Sequence, residues 1–472
     1  MDNAKGLMPC EALLPSFVGS GGRYSLTCHK SANARFGDGT AVLSALIILS
    51  TLSSTFIGAK FLGISVPVAL QLPFIIYVTV KYGASLRIPY KQSLFWFVCL
   101  GLFSYLYSLL LSYADLTGYV SDHITYCVEY TICIIPLIVC YSNIPDGRDR
   151  LRWGIVWACR LECIWGILQL LLYTIAGVNI SQVVFGDLLH LTNTNDWLTT
   201  YNAGDATHIR TELRLTGTTS DGAFLGLFLV VGLVLDRSLL MRVVYIMAAM
   251  LSVQRATVVC MVVVIAVYIY RRIKASLSEQ KKRSHLRVRN IAIVLAISVI
   301  IILFLYRYSD IVVSRLGLML ARFNTSGTDG TYRHVMYIPW VLQALISTNP
   351  FVALFGVGLR SSGVLLSDPD GPFWQYLNAY MQSGRSWSIE SDIACVFGGC
   401  GLVRGLVYLY MFGMFFSRCS NDYRVLMLAV FCFAFMYDFS SLIVGYLIYT
   451  LLMLDSMRNS GYKIRYEGVA SV

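Results

Sequence analysis

The stretch "IAIVLAISVIIILFL" (291–305) carries no charge and a single hydroxyl, and its reading decides the fold. With its flanks it reaches the ~20 residues that a helix needs to cross the hydrocarbon core of a bilayer. "AVLSALIILSTLSSTFIGA" (41–59) is a second block of the same kind. In hydrocarbon every backbone N–H and C=O must be satisfied inside the chain, so such blocks read as helices. Blocks of this type recur near 40–58, 62–80, 93–113, 123–142, 153–176, 219–236, 241–253, 256–270, 291–307, 393–416, 425–437 and 440–455. Composition agrees: 57% of the 472 residues are apolar and 13% charged, against about a quarter charged in soluble domains. The expected fold class is an all-α polytopic membrane protein with about twelve transmembrane helices.

A net charge of +11 raises nucleic acid as a partner, but its distribution argues against that. With the N-terminus inside, 25 Lys and Arg fall on the cytoplasmic side and 10 on the outer side, while Arg160 and Arg404 lie within spans. This is the positive-inside asymmetry of multi-pass membrane proteins. Its strongest vote is "RRIKASLSEQKKRSHLRVR" (271–289), which reads as a topology signal or as a site for anionic lipid. Residues 1–39 lack the apolar core of a secretory signal and read as a cytoplasmic tail. The expected organisation is then 40–307 as nine helices, 308–390 as a large periplasmic loop, 391–455 as three more helices, and 456–472 as a cytoplasmic tail. None of the thirteen cysteines lies in the long outer segments, so no structural disulfide is expected.

Two connections are long, 177–218 and 308–390, and both fall outside by the charge rule. Long ordered loops usually carry function. Within the second, "SDIVVSRLGLMLARF" (309–323) and "YRHVMYIPWVLQALIS" (332–347) read as short amphipathic helices on the membrane surface, with Pro339 kinking or interrupting the latter. Of the 10 outer basic residues nine are Arg and one is Lys60. The planar Arg fork binds phosphate or carboxylate oxygens in pairs. The same residues also serve as interfacial anchors.

Four stretches, in order, resemble the O-antigen polymerase/ligase superfamily of bacterial membrane glycosyltransferases. They are "RLTGTTSDGAFLGLFL" (214–229), "SVQRATVV" (252–259), "YRHVMYIPWVLQALISTNPFVALFGVGLRSSG" (332–363) and "ESDIACVFGGCGLVRGLVYLYMF" (390–412). The fourth departs from the ligases, which place a His-Asn pair where this chain has Glu390-Ser391-Asp392, and so it looks more like the polymerases. The resemblance implies an oligosaccharide repeat unit on undecaprenyl diphosphate as substrate, and transfer of the growing chain onto a fresh unit at the periplasmic face. It also implies an inner-membrane, multi-pass protein with both termini cytoplasmic, in contact with membrane lipids and with a chain-length regulator protein as a further partner.

The chemistry asks for few groups. A lipid diphosphate is a weak base and leaves without a general acid, unlike the leaving group of a glycosidase. Fixed arginines stabilise its developing charge, and the acceptor hydroxyl needs a base or a positioning acceptor. Candidates for the diphosphate are Arg214, Arg255, Arg333, Arg360 and Arg210; candidates for the base are Glu390, Asp392 and His334. Each has a plainer alternative. The arginines serve equally as interfacial anchors or solvated charges, and Glu390 and Asp392 as caps of the helix that begins near 393. Trp340, Trp374, Tyr376 and Trp387 stack on sugars or form an interfacial belt. Arg404, inside a span, either reaches the diphosphate from below or pairs with Glu129 or Glu162. Fixed arginines suffice to stabilise the leaving charge, so no metal and no cofactor are expected. The rival readings are an O-antigen ligase, disfavoured by the missing His-Asn pair, and a lipid-linked oligosaccharide flippase, disfavoured by the long loops and the lack of internal repeats.

Overall fold

The computed structural model describes residues 40–57, 59–61, 64–83, 86–88, 95, 99–103, 106, 129, 133–189, 198–202, 209–213, 215–219, 222–252, 254–278, 331–358, 362–366, 389, 391–438 and 442–459. Residues 1–43 form one unit, of which only the first turn of α1 is described, and Ser44–Val472 form the other.

The described chain is mostly helical: α1 (Thr40–Ser53), α2 (Val66–Tyr82), α3 (Ile135–Asn143), α4 (Gly147–Ala176), α5 (Gly222–Leu235), α6 (Leu239–Leu251), α7 (Arg255–Ser278), α8 (Thr331–Ser347), α9 (Pro350–Phe355), α10 (Asp392–Arg418), α11 (Asn421–Ala434) and α12 (Ile443–Asn459). The all-helical expectation needs one amendment. The connection 177–218 holds a π-helical turn (Gln182–Leu188) and an antiparallel hairpin of β1 (Leu198–Asn202) and β2 (Ile209–Leu213). Thr, Tyr and Ile in these two segments suit a pleated surface. A two-residue ladder, Lys60–Phe61 against Ile64–Ser65, joins α1 to α2. The expected span 291–307 and the segment 309–323 lie outside the described residues.

Among the described residues two helices, α4 and α10, are long and apolar enough to cross a membrane, and α1, α2, α5, α6 and most of α8 are shorter apolar helices. α4 shows what kind of surroundings it suits. Its buried face carries Glu162 and Gln169, 1% and 0% exposed, while Ile164, Leu168, Leu171 and Ile175 stand exposed on the other face. A water-soluble helix sorts these residues the opposite way. The arrangement is consistent with a membrane protein. Polar side chains inside the bundle satisfy one another. Gln71 of α2 donates to Ser50 O at 2.7 Å and to Ser53 Oγ at 2.9 Å, and Ser50 Oγ meets the Tyr141 hydroxyl of α3 at 2.8 Å.

The helix ends sort into two groups. At one end Arg148, starting α4, pairs with Asp455 of α12 at 2.8 Å and lies over the Tyr423 ring of α11. There too Arg152 donates to Leu235 O at 2.6 Å, Arg242 to Asp236 O at 2.6 Å, Arg271 to Asn421 O at 2.8 Å, and Asn459 to Arg418 O at 3.1 Å. This arginine end therefore collects the start of α4, α6 and α11 and the finish of α5, α7, α10 and α12. Asp392 N–H donates to Tyr437 O deeper in the bundle, and Ser181 Oγ donates to Gly217 O beyond the finish of α4. The connection 177–218 leaves the bundle at the opposite end, where α4 finishes.

Candidate functional site

The start of α10 is where the sequence placed a carboxylate. Ser391, in extended conformation, is the helix cap and accepts from Ala394 N–H at 3.4 Å; its own hydroxyl donates to Ala434 O at 3.2 Å. The cap role expected of Asp392 thus belongs to Ser391. Asp392, the first helical residue, is fully buried, and its Oδ2 accepts from the hydroxyls of Tyr408 at 3.4 Å and Tyr449 at 3.3 Å. Those two phenols also touch each other at 2.7 Å.

The Tyr408 contact spans 16 residues of one helical element. In a straight helix that separation is about 24 Å, beyond the reach of the two side chains. The element reverses instead at Gly401, whose φ of 72° and ψ of −179° lie outside helical space. Residues 392–400 run outward and 402–418 run back, with the Phe397 ring against Gly405. The expected single span over 393–416 is therefore a helical hairpin. Tyr408 and Tyr449 each lie ten residues before the ends that meet at Arg418 and Asn459. That is about 15 Å of helix, roughly half the hydrocarbon thickness.

Backbone from the loop after α9 closes the apex. The break frees carbonyls that water cannot reach inside a packed bundle. Val357 N–H donates to Gly398 O at 3.1 Å and Gly358 N–H to Gly399 O at 2.6 Å. The docking is so close that a Cβ at Gly356 would collide with the Gly399 backbone. Just past the apex Arg404 is buried, donates from Nη1 to Cys400 Sγ at 2.8 Å, and packs against Gly101. Glu162, proposed as one of its partners, is engaged elsewhere and accepts from the Thr218 N–H at 3.0 Å and from the Thr218 hydroxyl. Together with Gln169, which accepts from Thr216 and Gly217 N–H groups, it shapes the turn that leads into α5.

The remaining expected residues are placed as follows. Arg214, Arg360 and Glu390 lie outside the described residues, as do Trp374, Tyr376 and Trp387. Arg210 stands in β2, paired across the ladder with Tyr201. Arg333 and His334 lie in the first turn of α8, with side chains outside the described set. Pro339 neither ends nor splits α8, which runs through it. Nor does α8 lie only on a surface: Tyr337, Val341 and Leu345 are fully buried, and the helix packs on α10. Trp340 is 5% exposed beside Tyr337, a core position rather than a belt or a sugar platform. Arg255 is half-buried as the first residue of α7, following buried Ser252 and Gln254.

The structure brings the candidate stretches together in two pairs. The first and second meet where Gly226 of α5 lies against Thr257 of α7. The third and fourth meet where α8, α9 and the 3-10 turn Ser362–Leu366 pack on α10. Helix α11 packs against members of both pairs. Sequence reasoning missed Tyr408, Tyr449 and the reversal. The available signal was "GGCG" (398–401) inside an apolar run, matched by "GVG" (356–358). Among the described residues no group of three or more His, Cys, Asp or Glu is arranged to hold a metal ion. No family model matches the chain, and no curated protein matches it.

Proposed function

We propose that this chain is a multi-pass protein of about twelve spans in a bacterial inner membrane, with both termini cytoplasmic. Its reaction joins undecaprenyl-diphosphate-linked oligosaccharide repeat units at the periplasmic face, the work of an O-antigen polymerase. The acceptor hydroxyl attacks the anomeric carbon of the donor chain, its proton passes to a carboxylate, and the carbon–oxygen bond to the diphosphate breaks. Asp392 is the carboxylate, Tyr408 and Tyr449 hold it, and Arg214, Arg255, Arg333 and Arg360 receive the diphosphate. The observation that supports this reading is the buried carboxylate of Asp392 in the first turn of α10, the element on which α8, bearing Arg333 and His334, packs.

The test is polymer formation by purified protein supplied with lipid-linked repeat units. Asp392→Asn should lower it at least ~100-fold, the smaller end of what a general base contributes, without loss of the folded state. Polymer at wild-type levels from Asp392→Asn and from Glu390→Gln would remove carboxylate catalysis and leave His334 as the base.

One observation favours a second reading, export of the same lipid-linked oligosaccharide. A helix broken at a glycine beside a fully buried carboxylate, near mid-bundle, is how many transporters build their substrate and coupling-ion sites. The surface glycan of cells lacking the chain separates the cases. Single-repeat caps indicate a polymerase, core without glycan indicates a ligase, and repeat units stranded in the cytoplasmic leaflet indicate a flippase.

A further inference from the structure

The arginine end holds a cluster that glycan transfer does not use. Arg152 of α4, Arg242 of α6 and Arg271 of α7 come from three helices and all lie within electrostatic range of Tyr268, with Asp422 beside them. The Arg242 guanidinium sits 5.6 Å from the centre of the Tyr268 ring. Each of the three spends one N–H on a backbone carbonyl, namely Leu235 O, Asp236 O and Asn421 O. A guanidinium has five donors, so most of their capacity remains for an oxygen-rich anion.

The acids at this end are largely committed. Asp236 accepts from both Arg160 Nε at 2.7 Å and Nη2 at 2.9 Å, and Asp455 holds Arg148 and the Ser420 N–H. Asp149 lies between Arg148 and Arg458. The cluster therefore keeps excess positive charge among the described residues. What flanks it is apolar and exposed: Leu239 and Leu240 at the start of α6, and Ile269 and Tyr270 late in α7. In sequence it runs directly into the basic segment 271–289.

We propose that Arg152, Arg242 and Arg271 bind the phosphate of an anionic phospholipid headgroup, whose acyl chains lie along Leu239, Leu240, Ile269 and Tyr270. Three arginines gathered near Tyr268 suit a phosphate, and the apolar flank suits a lipid rather than a soluble anion. The proposal rests on the membrane reading and not on glycan transfer, so its test involves no glycan.

The full-length protein, purified in detergent, is titrated with phosphatidylglycerol or phosphatidylcholine, and bound lipid is counted by native mass spectrometry. Phosphatidylglycerol should bind in preference. Arg271→Ala should weaken it about fivefold, the effect expected of one basic side chain at an anionic surface. Arg242→Lys, which keeps the charge and avoids the folding risk of alanine beside Asp236, should weaken it as well. Arg237→Ala, an exposed arginine of the neighbouring turn, should leave it unchanged. Equal binding of both lipids, or wild-type affinity in Arg271→Ala and Arg242→Lys together, overturns the proposal. Inorganic phosphate stabilising the lipid-free protein where phosphatidylglycerol does not would assign the site to a soluble anion and overturn the lipid.

Discussion

Helices α4 and α10 are alike in sequence and opposite in structure. They have 30 and 27 residues and apolar windows of mean hydropathy 1.7 and 1.6. α4 runs unbroken from the arginine end and stops at Gly177, whose φ of 67° makes a left-handed cap with its N–H on Tyr173 O at 2.9 Å. α10 meets a glycine of nearly the same φ at position 401 and, instead of stopping, reverses and continues. What differs is ψ, 11° at Gly177 and −179° at Gly401, and the surroundings. A Cβ at Gly177 would meet nothing within 4 Å, whereas one at Gly401 would strike the carbonyl of Leu354. The left-handed Gly177 in open space ends its helix; Gly401, extended in ψ and pressed against another backbone, folds its helix back. Length and hydropathy score both elements as the same object because neither quantity contains chain direction.

The largest effect expected follows from that contact. Gly401→Ala combines backbone strain of about 1–3 kcal/mol with a clash that no rotamer relieves. A total above ~4 kcal/mol places it among the rare severe substitutions, and folded protein should be absent from size-exclusion profiles in detergent. A second measurement does not depend on that loss. With Cys395 and Cys400 replaced by serine, Phe397→Cys and Gly405→Cys should form a disulfide on mild oxidation. Eight residues of straight helix hold them ~12 Å apart, too far for a bond. Normal melting of Gly401→Ala together with no disulfide would return α10 to a single straight span.

Much of the scaffold was legible in advance. The apolar blocks that fall within the described residues are helical, although 393–416 is a hairpin and not one span. Apolar blocks and basic loops are local signals, and they survive folding. The contents of the site were less legible because its partners are distant in sequence: Tyr408 and Tyr449 stand 16 and 57 residues from Asp392. Asp392 is legible as a base or a cap, and of the two the cap belongs to the adjacent Ser391, the better-placed acceptor. Arg160 was recognised as a charge inside a span. Its partner Asp236 was not, because at the edge of a loop it looks solvated, whereas it is 1% exposed. The hairpin β1–β2 was hidden by reading 177–218 only for its charges.

Next in size is the pair that ties α4 to the end of α5. Asp236 also accepts from Ser238 N–H at 2.9 Å and Tyr245 hydroxyl at 3.2 Å, so its carboxylate is fully used. Asp236→Asn leaves Arg160 facing an amide and should cost about 2 kcal/mol, below the range for a fully buried pair because the Arg160 side chain is 27% exposed; the check is the thermal unfolding midpoint in detergent. Replacing both residues together, as Arg160→Met with Asp236→Leu, should restore much of the loss, because the desolvation cost of both charges goes with them. If the double variant is no better than the single one, α4 is fixed by the hydrogen bonds of Asp236 and not by its charge. The contrast with α10, held largely by backbone contacts, then narrows.

Gly177→Ala is the smallest effect and the control for the first. The position has the left-handed φ that costs a non-glycine residue about 1–2 kcal/mol, and the space around it is open. The loss should therefore sit near 1 kcal/mol, seen as a small drop in melting midpoint with folded protein still abundant. Gly177→Asn should recover part of it, since asparagine tolerates this conformation at a helix end. The difference between alanine at 401 and alanine at 177 measures the collision with Leu354 together with the extra strain of the extended ψ at 401, which is essentially restricted to glycine. Losses of equal size at the two positions would mean that α9 does not press on the apex of α10. The reversal would then rest on the conformation of Gly401 alone.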